Sequence, residues 1–206
     1  MKKTLSILLV LFFIAGNQIF AGPEDQTIAN LKEAFKGEST ASAKYAAYAD
    51  QAKKEGFLQI GIMFSATSKA EAIHAENHKK VLEKMGQKLV PVKPDFVVKS
   101  TRENLEDAIK GETYEMTTMY PGFIAAAKAE SATDAVKSLR WAMDTEKKHQ
   151  LMYQAALTAL NGKLTHTLPK IYWVCPKCGN TYNEIKPEAS CSFCSTSNTK
   201  FIRFDK

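Results

Sequence analysis

Four segments of the chain repeat apolar residues at spacings of three and four, and each places glutamate in the middle of its apolar stripe. Such a repeat predicts an amphipathic helix whose stripe faces a core. The glutamates on the four stripes are Glu38, Glu71, Glu112, Glu115 and Glu146. Burying a carboxylate without compensation is strongly unfavourable, and no lysine or arginine lies on these stripes to neutralise it. Bound divalent or trivalent cations are the compensation that remains.

Glycine and proline divide the chain into these helices. Gly56 ends the first helix, which begins near Asp25, and Gly86 ends the second, which begins near Phe57. Residues 87–99 contain two prolines and predict an extended crossover. Short connections after the first and third helices, with a long one after the second, are typical of a ferritin-like four-helix bundle. With 45% apolar residues, the chain has enough hydrophobic material for such a core.

Short local patterns predict where the last two helices begin and bend. Ser100 with Glu103 has the spacing of a capping box, which predicts the start of the third helix. Pro121, followed by glycine, predicts a kink near the end of that helix. Ser131 with Asp134 predicts the start of the fourth helix.

The second and fourth helices each carry a Glu-x-x-His pair, Glu71 with His74 and Glu146 with His149. Residues three apart lie one turn apart on the same helical face, so each pair offers two metal ligands together. The first and third helices add further glutamates from their own stripes. Two Glu-x-x-His helices facing two glutamate helices form the di-iron carboxylate arrangement of ferritin-like bundles.

All four cysteines lie near the C-terminus in two Cys-x-x-Cys pairs, Cys175 with Cys178 and Cys191 with Cys194. Two such pairs at this separation predict a tetrahedral thiolate site, within a small domain of three short β-strands. The spacing leaves the metal open, since zinc ribbons and iron sites share it. Disulfide pairing in an oxidising compartment is the other alternative.

The order of these motifs resembles the rubrerythrin family. The matching segments are Gly37-Glu38-Ser39, Glu71-x-x-His74, Gly111 to Pro121 and Glu146-x-x-His149. The resemblance implies a mainly α protein, with a ferritin-like bundle over residues 22–165 and a rubredoxin-like β domain over residues 166–206. The implied cofactors are two irons in the bundle, bridged by carboxylate and oxo groups, and one iron held by the four cysteines.

The resemblance also implies a role for each of seven ligands to the iron pair. They are the bridging residues Glu71 and Glu146, the terminal ligands Glu38, Glu112 and His149, and the exchanging residues Glu115 and His74. The exchange is expected as the iron changes redox state, because a carboxylate oxygen suits ferric iron and an imidazole nitrogen suits ferrous iron. Glu115, one turn after Glu112, is the residue that separates this family from ferritins.

Three further side chains lie on or beside the stripes. Tyr45 and Tyr120 follow ligand glutamates by one to two turns. Their positions suit core packing, and the resemblance implies hydrogen bonds from them to ligand carboxylates. His78, one turn past His74, could contact the metal ligands, but it is expected to be partly exposed.

The resemblance implies a peroxidase that reduces hydrogen peroxide to water in defence against oxidative stress. Electrons are expected to reach the iron pair through the four-cysteine iron, between the subunits of a homodimer. Two alternatives are iron oxidation for iron handling, and a non-catalytic sensor carrying a zinc ribbon. The formal net charge is +6, and it falls to about +4 if Lys2 and Lys3 are removed, which is too small to indicate nucleic-acid binding.

Residues 1–21 predict a cleavable export signal. Lys2 and Lys3 precede an apolar run from Leu5 to Ala15, which is too short to span a bilayer. Cleavage is expected after Ala21, which places the mature chain in a bacterial periplasm; a buried helix or an uncleaved anchor is the alternative. No nicotinamide pool exists there, so the electron donor is expected to be an exported redox protein or a membrane-linked quinol pathway.

Overall fold

The computed structural model describes residues 23–183 and 187–205, so the predicted export signal lies outside the described part of the chain. The described residues form a four-helix bundle followed by a small sheet, which confirms the predicted fold class. The helical elements of the bundle are α1 (Pro23–Lys54), α2 (Leu58–Lys84), α3 (Thr101–Tyr114), a π-helical turn (Glu115–Met119), α4 (Tyr120–Ala129) and α5 (Thr133–Asn161).

The connections between these helices follow the predicted bundle topology. Gly56, with φ +85°, makes the short turn between α1 and α2, which pack along each other. An irregular crossover over residues 85–100 then leads to α3. The third long helix is assembled from α3, the π turn and α4, and it packs against α5. Among the residues that the structure describes, no helix is both long and apolar enough to cross a membrane.

Of the two predicted helix starts, the one at Ser100 is present and the one at Ser131 is not. The Ser100 hydroxyl accepts from the Glu103 amide at 3.4 Å, and the Glu103 carboxylate accepts from the Ser100 amide at 3.2 Å, which confirms the capping box. The predicted cap at Ser131 is wrong. Ser131 has φ +57° and closes α4 in a Schellman motif, with the Ala132 amide donating to the Ala127 carbonyl at 2.9 Å. Because Ser131 ends one helix, it does not cap the next.

The irregularity in the third long helix begins before its proline. The π turn runs from Glu115 to Met119, whereas Pro121 lies in the first turn of α4, where its missing N–H is tolerated. The predicted distortion is therefore present but lies one turn earlier. Single π turns inside α-helices occur frequently at functional sites.

The core of the bundle has two hydrophobic clusters with the glutamate-bearing turns between them. One contains the packed rings of Tyr45, Phe64 and Tyr153, whose centroids lie 5.1 to 5.8 Å apart. The other contains Leu31 and Leu139 with other apolar side chains from the opposite half of the bundle. Water is thus excluded on both sides of the glutamates.

Three short strands form the C-terminal sheet, namely β1 (Tyr172–Val174), β2 (Thr181–Tyr182) and β3 (Ile202–Phe204). The strand order is β2-β1-β3, with both pairs antiparallel. Tyr172 and Val174 are buried and belong to the same hydrophobic cluster as Phe64 of α2. The small domain is therefore packed onto the bundle.

Candidate metal centre

The buried centre of the bundle brings together six of the seven residues predicted to bind the iron pair. They form two overlapping groups whose ligand atoms lie within 4.8 Å of one another: Glu38, Glu71, His74 and Glu146 in one, and Glu71, Glu112, Glu146 and His149 in the other. Each of the six is at most 1% exposed. Because Glu71 and Glu146 belong to both groups, the arrangement suits two metal ions that share two carboxylates.

The two shared carboxylates each turn one oxygen toward each histidine. His74 Nδ1 lies 2.9 Å from Glu71 Oε2 and 3.0 Å from Glu146 Oε1. His149 Nδ1 lies 2.9 Å from Glu71 Oε1 and 2.8 Å from Glu146 Oε2. Both imidazoles therefore present Nδ1 to the centre, and the carboxylates span the distance between them.

Several of these buried ligand atoms make no well-formed hydrogen bond within the described residues, although some lie close to one another. They are Glu38 Oε2, Glu71 Oε1, Glu112 Oε2, both carboxylate oxygens of Glu146, and His149 Nδ1. Buried polar atoms without partners are rare because each one is costly. Convergent oxygen and imidazole donors of this kind fit iron. The residues present therefore suit a pair of iron ions.

Burial and mutual repulsion shift the ionisation of the glutamates in the site. Burial raises the pKa of Glu38 to about 8, and the neighbouring charges of Glu146 and Glu71 add to this. Burial likewise raises the pKa of Glu112 well above its usual range, again with help from Glu146. Burial alone would raise the pKa of Glu71, but the charge of His149 lowers it to about 2.

The histidines respond to the same carboxylates. Burial disfavours the charged form of His149, yet Glu71 and Glu146 raise its pKa to about 9. Burial also disfavours the charged form of His74, but the charge of Glu146 helps to raise its pKa well above the usual range. Without metal, the site therefore holds protons where cations would bind.

Glu115 is the predicted ligand that lies outside both groups. It begins the π turn and is partly buried. Burial raises its pKa well above the usual range, and the charges of Glu38 and Glu146 contribute. The predicted exchange with His74 stays a prediction.

The two tyrosines do bond to ligand carboxylates. The Tyr45 hydroxyl donates to Glu112 Oε1 at 2.8 Å, and the Tyr120 hydroxyl donates to Glu38 Oε1. Both tyrosines are buried, at 2% and 0% exposure. Each holds one of the two carboxylates that are not shared between the groups.

The prediction that His78 is partly exposed is wrong, since its side chain is fully buried. Its Nδ1 lies 2.9 Å from Ser138 Oγ and its Nε2 lies 3.3 Å from the Tyr120 hydroxyl. Burial, followed by the charge of His74, lowers the pKa of His78 to about 3, so its ring is neutral. The only signal in the sequence was its position one turn past His74 on the stripe.

The four cysteines form a second site. Cys175 and Cys194 have their Sγ atoms 3.5 Å apart, and those of Cys178 and Cys191 are 3.4 Å apart. All four are free thiols, so the disulfide alternative is wrong. Four sulfurs within 4.8 Å of one another suit a single tetrahedral ion.

A four-helix bundle with two shared carboxylates, followed by a four-cysteine ribbon, defines a non-haem di-iron protein with a rubredoxin-like domain. The sequence profile of the rubrerythrin family matches residues 29–157, and this chain belongs to that family. Its cofactors are accordingly a di-iron site in the bundle and a rubredoxin-like iron centre at the four cysteines.

Similar proteins span almost the same length. Rubrerythrin-2 of Clostridium acetobutylicum is 31% identical over 175 residues, which cover 84% of this chain and 94% of that protein. Rubrerythrin of Porphyromonas gingivalis is 32% identical over 171 residues, covering 82% and 86%. A solved structure of nigerythrin in its fully reduced, all-ferrous state has a TM-score of 0.79 at 30% identity, covering 93% of this chain and 91% of that one.

Proposed function

We propose that this protein is a peroxidase that reduces hydrogen peroxide to water at the bundle site, with electrons delivered through the four-cysteine site. The balanced reaction consumes one peroxide, two electrons and two protons, breaks the O–O bond and yields two waters. The observation that carries the proposal is a buried pair of ligand groups that share Glu71 and Glu146, with His149 bonded to Thr181 of the four-cysteine domain. When bound, two ferrous ions supply the two electrons and the Lewis acidity for this cleavage.

The residues of the bundle have three tasks in this reaction. Glu71 and Glu146 would hold both ions, because each belongs to both ligand groups. Tyr45 and Tyr120 orient the unshared carboxylates by hydrogen bonds. The hydrophobic clusters on either side exclude water, which strengthens the electrostatic interactions within the site.

Glu115 and His74 are proposed to alternate as ligands with the redox state. His74 lies within one ligand group and Glu115 lies outside both. A nitrogen ligand suits ferrous iron and a carboxylate suits ferric iron.

The test begins with protein that has been reduced without oxygen and given one equivalent of hydrogen peroxide. We expect the bundle site to lose two electrons within the mixing time, and peroxide to disappear in equal amount. Oxygen, supplied separately, is expected to react more slowly. If oxygen oxidises the site faster than peroxide does, iron oxidation replaces the peroxidase as the function.

The metal content tests whether electrons can be delivered through the four-cysteine site. Iron-loaded protein is expected to hold about three irons per chain, two with oxygen and nitrogen ligands and one bound by thiolates. Ferric thiolate absorbs visible light strongly and zinc thiolate does not. Colourless protein with zinc at Cys175, Cys178, Cys191 and Cys194 would remove the proposed electron route and favour a non-catalytic sensor.

A further inference from the structure

Two buried histidines lie one turn apart on α2, and the first of them, His74, belongs to a ligand group of the bundle site. The second, His78, is 0% exposed, and its ring nitrogens contact Ser138 of α5 and Tyr120 at the start of α4. Tyr120 in turn bonds to Glu38 of α1. Side chains from four helices thus form one continuous polar chain that ends on a metal ligand.

The direction of each hydrogen bond in this chain follows from its metal-ligand end. A carboxylate that binds metal is ionised and can only accept, so the Tyr120 hydroxyl donates its single proton to Glu38 Oε1. The tyrosine oxygen must then accept from His78 Nε2–H, at 3.3 Å. Because the buried ring is neutral, its Nδ1 carries no proton and accepts from the Ser138 hydroxyl at 2.9 Å. Every proton in the chain therefore points toward Glu38.

This chain leaves one oxygen of Glu38 for the metal. Oε1 is held by Tyr120, whereas Oε2 is buried and makes no well-formed hydrogen bond within the described residues. A carboxylate with one oxygen held by a hydrogen bond presents the other in a defined direction. Because Glu38 shares a ligand group with His74 and not with His149, the chain acts on one of the two ion positions.

The other unshared carboxylate is supported differently. The Tyr45 hydroxyl donates to Glu112 Oε1, and the Tyr45 ring lies against those of Phe64 and Tyr153, at centroid distances of 5.8 and 5.5 Å. Aromatic packing thus supports this tyrosine, whereas the oxygen of Tyr120 accepts from a buried histidine. The two halves of the site therefore differ in the groups that lie behind their ligands.

We infer that His78 is a positioning residue for the iron pair, which holds the Glu38 carboxylate in place by donating to Tyr120. The inference requires the di-iron site but not the peroxidase reaction, so its failure and the failure of the proposed function are separate results. A histidine that only fills the core is the alternative. The two differ because a positioning residue acts through Tyr120, whereas a core residue acts through folding stability.

Paired variants of the full chain separate stability from positioning. His78→Leu removes the donor but leaves the Ser138 hydroxyl buried without its partner, which lowers stability by itself. His78→Leu with Ser138→Ala removes both polar groups, so the free energy of unfolding is expected to recover while iron binding does not. His78→Gln places an amide N–H near the position of Nε2 and is expected to restore iron binding. His166→Leu, at an exposed histidine, is the matched control.

Ferrous iron binding, measured without oxygen or peroxide against a competing chelator, gives the first result. The double variant is expected to hold one bundle ion as the unmodified chain does and the other about tenfold more weakly. Mössbauer spectra of the reduced protein, loaded with isotopically enriched iron, are expected to change at one of the two bundle ions. Two unchanged ions would overturn the inference, and so would an equal loss at both.

A double-mutant cycle with Tyr120→Phe tests whether His78 acts through that tyrosine. Tyr120→Phe is expected to weaken the same ion, and adding His78→Leu to it should change the affinity by less than about twofold. If His78→Leu causes the same loss with and without Tyr120, the histidine acts independently of the tyrosine and is not a positioning residue.

The direction of the hydrogen bonds is tested on the unmodified chain, so no variant has to fold. Zinc-loaded protein is diamagnetic and stands in for the ferrous state. The sequence contains only four histidines, so isotope-labelled ring nitrogens can be resolved by NMR. His78 is expected to carry its proton on Nε2 and none on Nδ1. The opposite tautomer could not donate to Tyr120, and finding it would refute the positioning role.

Discussion

Single residues determine whether the bundle site holds two ions or one. Glu71 contributes oxygens to both ligand groups, whereas Glu115 belongs to neither. We expect Glu71→Ala to lose the iron pair, because only Glu146 then remains to span the two ligand groups. Glu115→Ala is expected to keep two irons and to slow peroxide turnover. Iron per chain and stopped-flow rates measure the difference.

Glu76→Ala is the control for that comparison, since Glu76 is an exposed glutamate on the same helix as Glu71. It is expected to retain three irons and full turnover. Equal loss of iron from Glu71→Ala and Glu115→Ala would contradict the distinction between a shared ligand and an exchanging one.

The ionisation of the site predicts that iron binding releases protons. Glu38, with a pKa raised to about 8, and His149, with a pKa raised to about 9, are both protonated at pH 7 in the metal-free site. Iron must displace these protons, so its apparent affinity should rise with pH from 7 to 9. About two protons per chain are expected from these groups on loading at pH 7.

Calorimetry in two buffers of different ionisation enthalpy measures this proton release. Glu38→Gln has no proton to lose at that position and should release one fewer. An affinity for ferrous iron that stays constant between pH 7 and pH 9 would show that these groups are already deprotonated before iron binds.

The metal-ligand residues could be predicted from the sequence because their spacing is a local pattern within each helix. Residues three apart on a helix share a face, so Glu71 with His74 was sufficient to place both in one site. His78 lies on the same stripe, but its burial depends on Ser138 and Tyr120, which belong to other helices. No local pattern states which side chains will surround a histidine.

At the level of elements, a helix end could be predicted where the residue at that end belongs to one helix only. Ser100 only begins a helix, and its capping box is present as expected. Ser131 lies between two helices, and the conformation that closes the first one excludes capping the second. The π turn from Glu115 to Met119 contains neither glycine nor proline, so no helix-breaking residue marks it in the sequence.

The loop that carries Gly179 allows a prediction with an internal control. Gly179 and Gly86 both have positive φ, +80° and +76°, and a Cβ at Gly179 would overlap the His74 ring, whereas one at Gly86 would meet nothing within 4 Å. Gly86→Ala should cost about 1 kcal/mol from backbone strain alone. Gly179→Ala should cost more, because the loop must also withdraw from His74. Denaturant unfolding of both variants, at matched iron content, measures the difference.

Equal destabilisation by the two substitutions would mean that the small domain does not press on the bundle in solution. A larger loss at Gly179, with protease cleavage between α5 and β1 becoming faster, would support the interface. The bundle itself should keep its helical content in both variants, since neither glycine contributes to its core.

At the scale of the whole molecule, the two metal sites are joined by contacts between residues far apart in sequence. Asn77 and Lys177 are separated by 100 positions, and Thr181 bonds to His149 across 32. The separate motifs predicted each site, but helix periodicity and cysteine spacing say nothing about where one domain rests on another. That placement depends on the apolar face of β1 and the surface of α2, which only the folded chain brings together.

The location of the whole molecule is a prediction that rests on residues 1–21 alone. Their charged start, apolar run and small residue at Ala21 predict export and cleavage, so fractionated native cells should contain the mature chain in the periplasm, with an N-terminus at Gly22 by mass spectrometry.

Removal of Lys2 and Lys3 leaves 26 basic against 22 acidic residues, a net charge of +4. A positive surface attracts an acidic electron donor, so reduction by an exported or membrane-linked donor should slow as salt rises. The cysteines must bind iron early in that compartment, because vacant thiol pairs are oxidised there. Full-length chain recovered from the cytosol with residues 1–21 intact would contradict both the export and the choice of donor.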